Sequence, residues 1–345
     1  MHQTRIIRIE LDDKRRDAAN VGTVVWTCER SDEELAPSEV FARRYADIRE
    51  SLRRFHRPGV VIVGAGRGGS LAGSVCLAAK PDTITTAIIG RHARADFFVP
   101  DDPEVSLRHL AVIVHPGRGG PRFSVLDLRS GRGFRDERGE RRDALVADGS
   151  VVFRCASHTF FVLVGGRGER WPADAASAWA SLPPRRYLDE PPRPRLALVE
   201  DEPSRRRLTL AEDEPSRPQI THVTGVRGPG VLQRRLVQEG ESPLGELRVT
   251  SGGVAQAILL GRAAAREGVL VGRYERCDGA VQLEDARISR VHLLVIEIDG
   301  QLYAVDTAST NGVLLGEEEQ REVRLDYGTR LALGGESTVE WRPLN

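Results

Sequence analysis

Short apolar runs separated by turn residues dominate the last hundred residues of the chain, and they predict an all-β domain there. The predicted strands are 245–250, 254–260, 268–272, 280–283, 291–298, 301–305, 323–325, 329–333 and 338–341. Strands this short, with turns this frequent, are typical of a β-sandwich and not of a parallel sheet. Asp299-Gly300 separates two of the runs, and an Asp-Gly pair predicts a tight hairpin because both residues accept positive φ.

The first 57 residues follow another pattern and predict a small α+β segment. Residues 5–11 alternate apolar and charged positions, and residues 22–27 are rich in β-formers, so two short strands are expected. A helix is expected to follow Pro37, with one apolar stripe made of Phe41, Tyr45, Ile48, Leu52 and Phe55. The stripe spans barely two heptads, so packing on the neighbouring domain is favoured over a coiled coil.

A proline-rich stretch interrupts the apolar pattern in the middle of the chain. The same six residues, Glu-Asp-Glu-Pro-Ser-Arg, occur at 200–205 and again at 212–217. Low hydrophobicity, mixed charge and proline predict a linker that is mostly disordered. The predicted organisation is therefore an N-terminal segment at 1–57, a domain at 58–166, the linker at 167–240 and a second domain at 241–345.

Composition narrows the functional classes. Fifty basic and fifty acidic residues give a formal net charge of zero, which argues against a general binder of nucleic acid or membrane surfaces. The four cysteines form no CxxC pair, so neither a metal site nor a disulfide framework is expected. A signal-peptide pattern and a membrane-length apolar run are both lacking, and a cytoplasmic location is expected. HExxH, GxSxG and GKS/T motifs are also lacking, so the chain is predicted to be neither an enzyme nor a cofactor binder.

Three polar clusters interrupt the strands of the C-terminal domain: Gly272-Arg273, Ser289-Arg290-Val291-His292 and Ser309-Thr310-Asn311-Gly312. The predicted hairpin brings the second and third clusters to one end of the sheets. Their side chains are mostly hydrogen-bond donors, and donors gathered at one edge of a sheet suit an anion.

These clusters, in this order and at this spacing, with a glycine-rich turn at Gly334-Gly335, resemble the forkhead-associated (FHA) domain over roughly the last hundred residues. The resemblance implies a SMAD/FHA-type β-sandwich that binds phosphothreonine peptides. The residues implied to bind phosphothreonine and peptide are Arg273, Ser289, Arg290, Thr310 and Asn311, with Asn311 on the peptide backbone. The residues expected to be structural are Gly272, His292 and Gly312.

A weaker copy of the same clusters precedes the linker. Gly90-Arg91, Ser106-Leu107-Arg108-His109 and Ser130-Gly131-Arg132-Gly133 repeat the spacing apart from four additional residues, which fit the hairpin loop. Residues 58–166 are therefore predicted to form a second, degenerate FHA-like sandwich.

This copy departs from the family pattern where peptide binding matters. Gly131 replaces the threonine, and Arg132 replaces the asparagine with a side chain that only donates hydrogen bonds. At most a weak anion site is expected to remain at Arg91, Ser106 and Arg108. We expect this copy to serve as a structural or protein-contact module.

One motif in the first domain suggests a different function. Gly64-Ala65-Gly66-Arg67-Gly68-Gly69 matches the glycine pattern of a dinucleotide-binding loop. Gly73 and Pro81 interrupt the place where the phosphate-binding helix should run, so a strand-to-strand turn is predicted.

The sequence thus favours a phosphothreonine-dependent adaptor in Ser/Thr-kinase signalling. Its partner would be a threonine-phosphorylated protein such as a kinase or a kinase substrate, and no nucleic acid, membrane or metal partner is expected. The alternative is an assembly protein whose two sandwiches make phosphate-independent protein contacts. Titration with phosphorylated and unphosphorylated peptides separates the two.

Overall fold

The computed structural model describes residues 35–166, 171–183, 225–226, 231–280 and 286–344. The chain divides into two compact units, residues 1–190 and 191–345. The strands predicted at 5–11 and 22–27, and most of the predicted linker, lie outside the described residues.

The first unit is a β-sandwich with two helices. Its elements are α1 (Pro37–Arg54), β1 (Gly59–Ala65), β2 (Leu71–Ala78), β3 (Thr85–Gly90), β4 (Phe97–Phe98), β5 (Leu110–Gly117), β6 (Gly120–Asp127), β7 (Phe134–Asp136), β8 (Arg141–Arg142), β9 (Ala144–Ala147), β10 (Val151–Cys155), β11 (His158–Gly165) and α2 (Ala175–Ser181). One sheet has the order β2-β1-β11-β10-β7-β8 and the other β4-β3-β5-β6-β9.

Both faces of β1 are buried, because the sandwich core lies on one side and helix α1 on the other. Val60 and Ile62 join the core between the sheets. Val61 and Val63 lie in a separate apolar cluster with the α1 stripe, so the predicted packing of that helix on the neighbouring domain is confirmed. Helix α2 completes the cluster, with the ring of Trp179 5.0 Å from that of Phe41.

The second unit has the same architecture. Its elements are β12 (Gly225–Val226), β13 (Val231–Leu236), β14 (Gly245–Ser251), β15 (Val254–Leu260), α3 (Arg262–Glu267), β16 (Val269–Gly272), β17 (Gly279–Ala280), β18 (Leu293–Ile298), β19 (Gln301–Asp306), β20 (Val313–Leu315), β21 (Glu318–Gln320), β22 (Glu322–Arg324), β23 (Arg330–Gly334) and β24 (Ser337–Pro343). The sheets have the orders β12-β13-β15-β14-β24-β23-β20-β21 and β17-β16-β18-β19-β22.

Strand order shows that the two units are copies of one fold. When β12 and β13 are set aside, every strand of the second unit has a counterpart in the first, in the same sheet position. The short parallel pairs agree as well, since β3 pairs with β4 and β16 with β17. The predicted all-β fold with two similar β-sandwiches is confirmed.

The predicted turns are also observed. Asp299 and Gly300 have φ of 50° and 81° between β18 and β19, as an Asp-Gly hairpin requires. The glycine-rich stretch 64–69 spans the turn between β1 and β2, which pair antiparallel. The dinucleotide-loop pattern therefore lies in a hairpin and opens no helix.

Four elements of the second unit differ from the sequence-based expectation. Strand β13 lies within the predicted linker 167–240, yet it pairs in parallel with β15 along its whole length. Helix α3 and strands β20 and β21 were not predicted either, since each has six residues or fewer and lacks a strong apolar period. Among the helices of the described ranges, none combines the length and apolar character needed to cross a bilayer.

Two buried histidines predict how the first unit responds to pH. Burial lowers the pKa of His109 and of His158 below the usual 6.5, and for His158 the charge of Asp102 only partly offsets this. Both side chains therefore take up protons on unfolding at mildly acidic pH. Their contribution to stability is complete above pH 6.5 and is lost as the pH falls toward their folded-state pKa values.

We expect the unfolding free energy of the first unit to be lower at pH 5.5 than at pH 7.5. Hydrogen exchange of the buried β11 amides, corrected for the intrinsic pH dependence of exchange, measures this free energy. An equal or higher value at pH 5.5 would contradict the assignment of neutral buried imidazoles.

Candidate functional site

Arg273 lies at the end of β16, where a close backbone crossing fixes its position. A Cβ on Gly272 would lie 2.2 Å from the carbonyl oxygen of Arg290, so only glycine allows this approach. The Arg273 N–H donates to the carbonyl of Ser289 at 3.1 Å, and its Nε donates to that of Ile288 at 2.5 Å. The side chain is exposed, so its guanidinium is accessible to a ligand.

Ser289 and Thr310 bring the second and third clusters together. The Thr310 N–H donates to Oγ of Ser289 at 3.0 Å, and that hydroxyl lies 3.4 Å from Oγ1 of Thr310. Ser289 is 6% exposed and Thr310 is exposed, so the pair connects a buried hydroxyl to the surface of the tip. Arg290, the next residue, is exposed, and its carbonyl accepts from the Tyr274 N–H at 2.8 Å.

His292 lies between the two loops of the site and hydrogen-bonds to both. Its Nδ1 accepts from the Ser289 N–H at 3.1 Å. Nε2 must then carry the proton, and it donates to the carbonyl of Gly312 at 2.9 Å. The ring is fully buried. The His292 side chain thus connects both loops that supply the candidate binding residues.

Gly312 has a local reason to be glycine. Its φ is +73°, and an added Cβ would lie 2.6 Å from Oε1 of Glu319. The positive φ turns the chain sharply out of the third cluster and into β20.

Replacing His292 by alanine is expected to lower the unfolding free energy of the second unit by about 2–5 kcal/mol, because a buried N–H and a buried C=O each lose a partner at about 1–3 kcal/mol. The affinity for the phosphopeptide should fall as well, since the two loops lose the hydrogen bonds to His292 that connect them. His109→Ala is the matched control, because His109 makes the same two bonds in the first unit. It should destabilise only the first unit; an equal effect of both variants on hydrogen exchange of β18 would contradict this role.

Asn311 contacts a residue that the sequence did not single out. Its Nδ2 donates to the carbonyl of Arg287 at 2.6 Å. The residue is exposed, so the amide oxygen is accessible as an acceptor. The guanidinium of Arg287 lies against Gly335, where an added Cβ would be 2.4 Å from Cζ. Arg287 therefore borders the site through both its backbone and its side chain.

The predicted binding residues are thus brought to one tip of the sandwich. Arg273 is tied to the Ser289 loop, Ser289 to Thr310, and Asn311 to the residue two positions before Ser289. The exposed charged side chains in the described parts of these loops, 273–278, 286–292 and 306–312, are Arg273, Glu275, Arg276, Arg287 and Arg290. Four positive charges against one negative charge favour an anionic ligand.

The first unit has the same backbone contacts at its tip, but it lacks the binding residues of the second unit. Arg91 donates through its backbone to Ser106 and through Nε to Val105, both at 3.0 Å, as Arg273 does at its own position. At the place of Asn311, however, Arg132 forms an ion pair with Glu104 at 3.1 Å.

The weak anion site predicted at Arg91, Ser106 and Arg108 is only partly assembled. Arg91 is exposed and Ser106 is half-buried. Arg108 is only 7% exposed, because it stands at the inward-facing position that Val291 occupies in the second unit. Its guanidinium is therefore not presented at the tip.

A family model covers all five predicted binding residues. The family model described as "FHA domain" matches residues 269–334, and no curated protein matches the chain. Among solved structures, the FHA-1 domain of Mycobacterium tuberculosis Rv1747 is 27% identical, with a TM-score of 0.25, over 30% of this chain and 100% of that chain. The FHA domain of CT664 from Chlamydia trachomatis is 23% identical, with a TM-score of 0.26, over 30% and 100%.

A third similar structure is Mycobacterium tuberculosis EmbR in complex with a low affinity phosphopeptide, 20% identical with a TM-score of 0.24, over 30% of this chain and 25% of that chain.

Within the described ranges no group of His, Cys, Asp and Glu side chains could hold a metal ion. With the family model spanning the strand of Arg273, the hairpin and the Asn311 loop, this chain is a protein that carries an FHA domain in its C-terminal unit.

Proposed function

We propose that this chain is an adaptor whose C-terminal FHA domain docks onto a protein phosphorylated on threonine by a Ser/Thr kinase. The observation that carries the proposal is the set of donors that neighbouring hydrogen bonds hold in place at one tip. Arg273 supplies charge, Ser289 and the Thr310 N–H flank the bottom of the site, and Asn311 offers an outward acceptor.

Each group has a distinct task in this proposal. The guanidinium of Arg273 and the hydroxyl of Ser289 donate to phosphate oxygens, and Arg290 adds a second positive charge. Thr310 contacts the same phosphate through its side chain or its backbone N–H. Asn311 accepts a peptide N–H next to the phosphothreonine, because its amide nitrogen is already engaged by Arg287.

Energetics favour modest affinity. Hydrogen bonds to charged groups contribute roughly 1.5–3 kcal/mol each, so three or four contribute about 5–10 kcal/mol before costs. Association opposes this by roughly 4 kcal/mol or more. Residues around the phosphothreonine must therefore supply part of the selectivity.

The first unit has another role in this proposal. Its Arg132–Glu104 ion pair occupies the position from which Asn311 reaches a peptide in the second unit. We therefore assign the first sandwich to structural or protein contacts that do not depend on phosphate.

A degenerate phosphothreonine peptide library, screened on the full-length protein, tests the proposal. Enrichment of phosphorylated peptides that is lost after phosphatase treatment would support it. Enrichment unaffected by phosphatase would favour the alternative, an assembly protein with phosphate-independent contacts.

A further inference from the structure

The loop between β16 and β17 begins with Arg273 and ends with Asp278, and hydrogen bonds near Asp278 close it. The Asp278 carboxylate accepts from the Leu270 N–H at 2.9 Å. One residue earlier, the Cys277 N–H donates to the carbonyl of Tyr274 at 2.9 Å. The position of Asp278 therefore decides how firmly the loop behind Arg273 is held.

The first unit holds the end of the same loop with a buried aromatic ring. The Asp96 carboxylate accepts from the Ile88 N–H at 2.7 Å, which is the counterpart of the Asp278 bond. The next residue, Phe97, is 1% exposed, and its ring lies 5.1 Å from that of Phe160 inside the sandwich core. Burial of this ring stabilises the end of the loop.

The second unit lacks that ring. Phe97 pairs with Ile89 in the first unit, and Gly279 pairs with Val271 at the same place in the second unit. A Cβ on Gly279 would lie 3.0 Å from Cδ1 of Ile258, so the backbone approaches β15 too closely for a large side chain. The end of the loop must therefore be held by another contact.

Arg234 of β13 makes this contact. Its Nη1 donates to the carbonyl of Asp278 at 2.6 Å, and the residue is half-buried. The backbone of Arg234 pairs with Ile258 in the eight-stranded sheet, whereas Asp278 directly precedes β17 of the five-stranded sheet. Arg234 thus connects the two sheets at the end of the loop, through a hydrogen bond with a charged donor, which is the stronger class.

We propose that Arg234 is a positioning residue for phosphopeptide binding, although it precedes the residues 269–334 that the family model matches. By holding Asp278, it keeps the loop that begins with Arg273 in one conformation before the peptide arrives. A loop that is already ordered loses less conformational entropy on binding. This inference rests on the proposed function, because it assigns Arg234 a part in the same site.

Arg234→Met tests the proposal, because methionine keeps an unbranched apolar stem and removes the donor. Calorimetric titration of the full-length variant with the best library phosphopeptide should give an affinity about 3- to 10-fold below that of the wild type, the cost of ordering a released loop on binding. Arg234→Lys retains a charged donor and should recover most of this loss. Arg235→Met is the matched control, since Arg235 is exposed, faces the opposite side of β13 and loses the same charge; its affinity should equal that of the wild type.

Hydrogen exchange separates positioning from a general loss of stability. In the free Arg234→Met protein the Cys277 amide should exchange at least about 3-fold faster than in the wild type, while the amides of β18 keep their rates. Saturating phosphopeptide should restore the protection of Cys277. Faster exchange throughout β18 would instead mean that Arg234 only stabilises the fold, and the proposal would be wrong.

The outcomes distinguish this inference from the proposed function. Equal phosphopeptide affinity of the wild type and Arg234→Met would overturn the role of Arg234 and leave the proposed function intact. An equal loss in Arg235→Met would also overturn it, because net charge would then be the cause. A wild-type protein that binds no phosphopeptide would refute the proposed function and, with it, any role of Arg234 in that site.

Discussion

Alanine at position 273 is expected to reduce phosphothreonine-peptide affinity by about 100-fold or more, because two charge-assisted hydrogen bonds at roughly 1.5–3 kcal/mol each are lost together. The fold should persist, since Arg273 is exposed and, among the described residues, its side chain makes one hydrogen bond, to the carbonyl of Ile288. Calorimetric titration of the full-length variant with the best library peptide measures the loss.

The first unit provides a matched control for Arg273. Arg91 makes the same backbone and Nε contacts at the equivalent position, so Arg91→Ala removes an exposed arginine of identical local geometry. The affinity of the Arg91→Ala protein for the phosphopeptide should equal that of the wild type. A comparable loss in both variants would show that the effect is general electrostatics and not specific contact.

Asn311→Ala carries the second largest expected effect, a loss of roughly 10- to 100-fold, because the hydrogen bonds of one amide side chain contribute on the order of 1–3 kcal/mol. This variant should weaken binding through the peptide backbone. The affinity difference between the phosphorylated and the unmodified peptide should therefore shrink much less than in Arg273→Ala. The two titrations, run side by side, separate phosphate recognition from backbone recognition.

Arg132→Ala is the control for Asn311. Arg132 stands at the equivalent position of the first unit and contacts Glu104 there. Its removal should leave phosphopeptide affinity unchanged. A loss equal to that of Asn311→Ala would place a peptide contact in the first unit, contrary to the proposed division of roles.

Much of the fold and of the tip could be predicted from sequence, because short-range sequence signals agree with the structure there. The Asp299-Gly300 pair fixed the hairpin, and the hairpin in turn placed the Ser289 and Asn311 loops at one end. The repeat was visible because glycine, arginine, serine and histidine positions keep the same hydrogen bonds in both units. His292 and His109 illustrate this, since each joins the same two loops.

The missed features depend on tertiary contacts. Arg287 borders the site through its carbonyl, and no side-chain pattern reports a backbone acceptor. Strand β13 contains Gln233, Arg234 and Arg235 in a proline-rich context, so its pairing with β15 outweighs a weak local preference. Arg108 was expected at the tip because of its charge, yet it is buried, at the position that Val291 occupies in the second copy.

Titration of the full-length protein with one peptide in three forms, carrying phosphothreonine, phosphoserine or unmodified threonine, tests the central claim most directly. We expect the phosphothreonine form to bind most tightly, the phosphoserine form more weakly and the unmodified form most weakly of all. Equal affinity for the phosphorylated and unmodified threonine peptides would contradict the account.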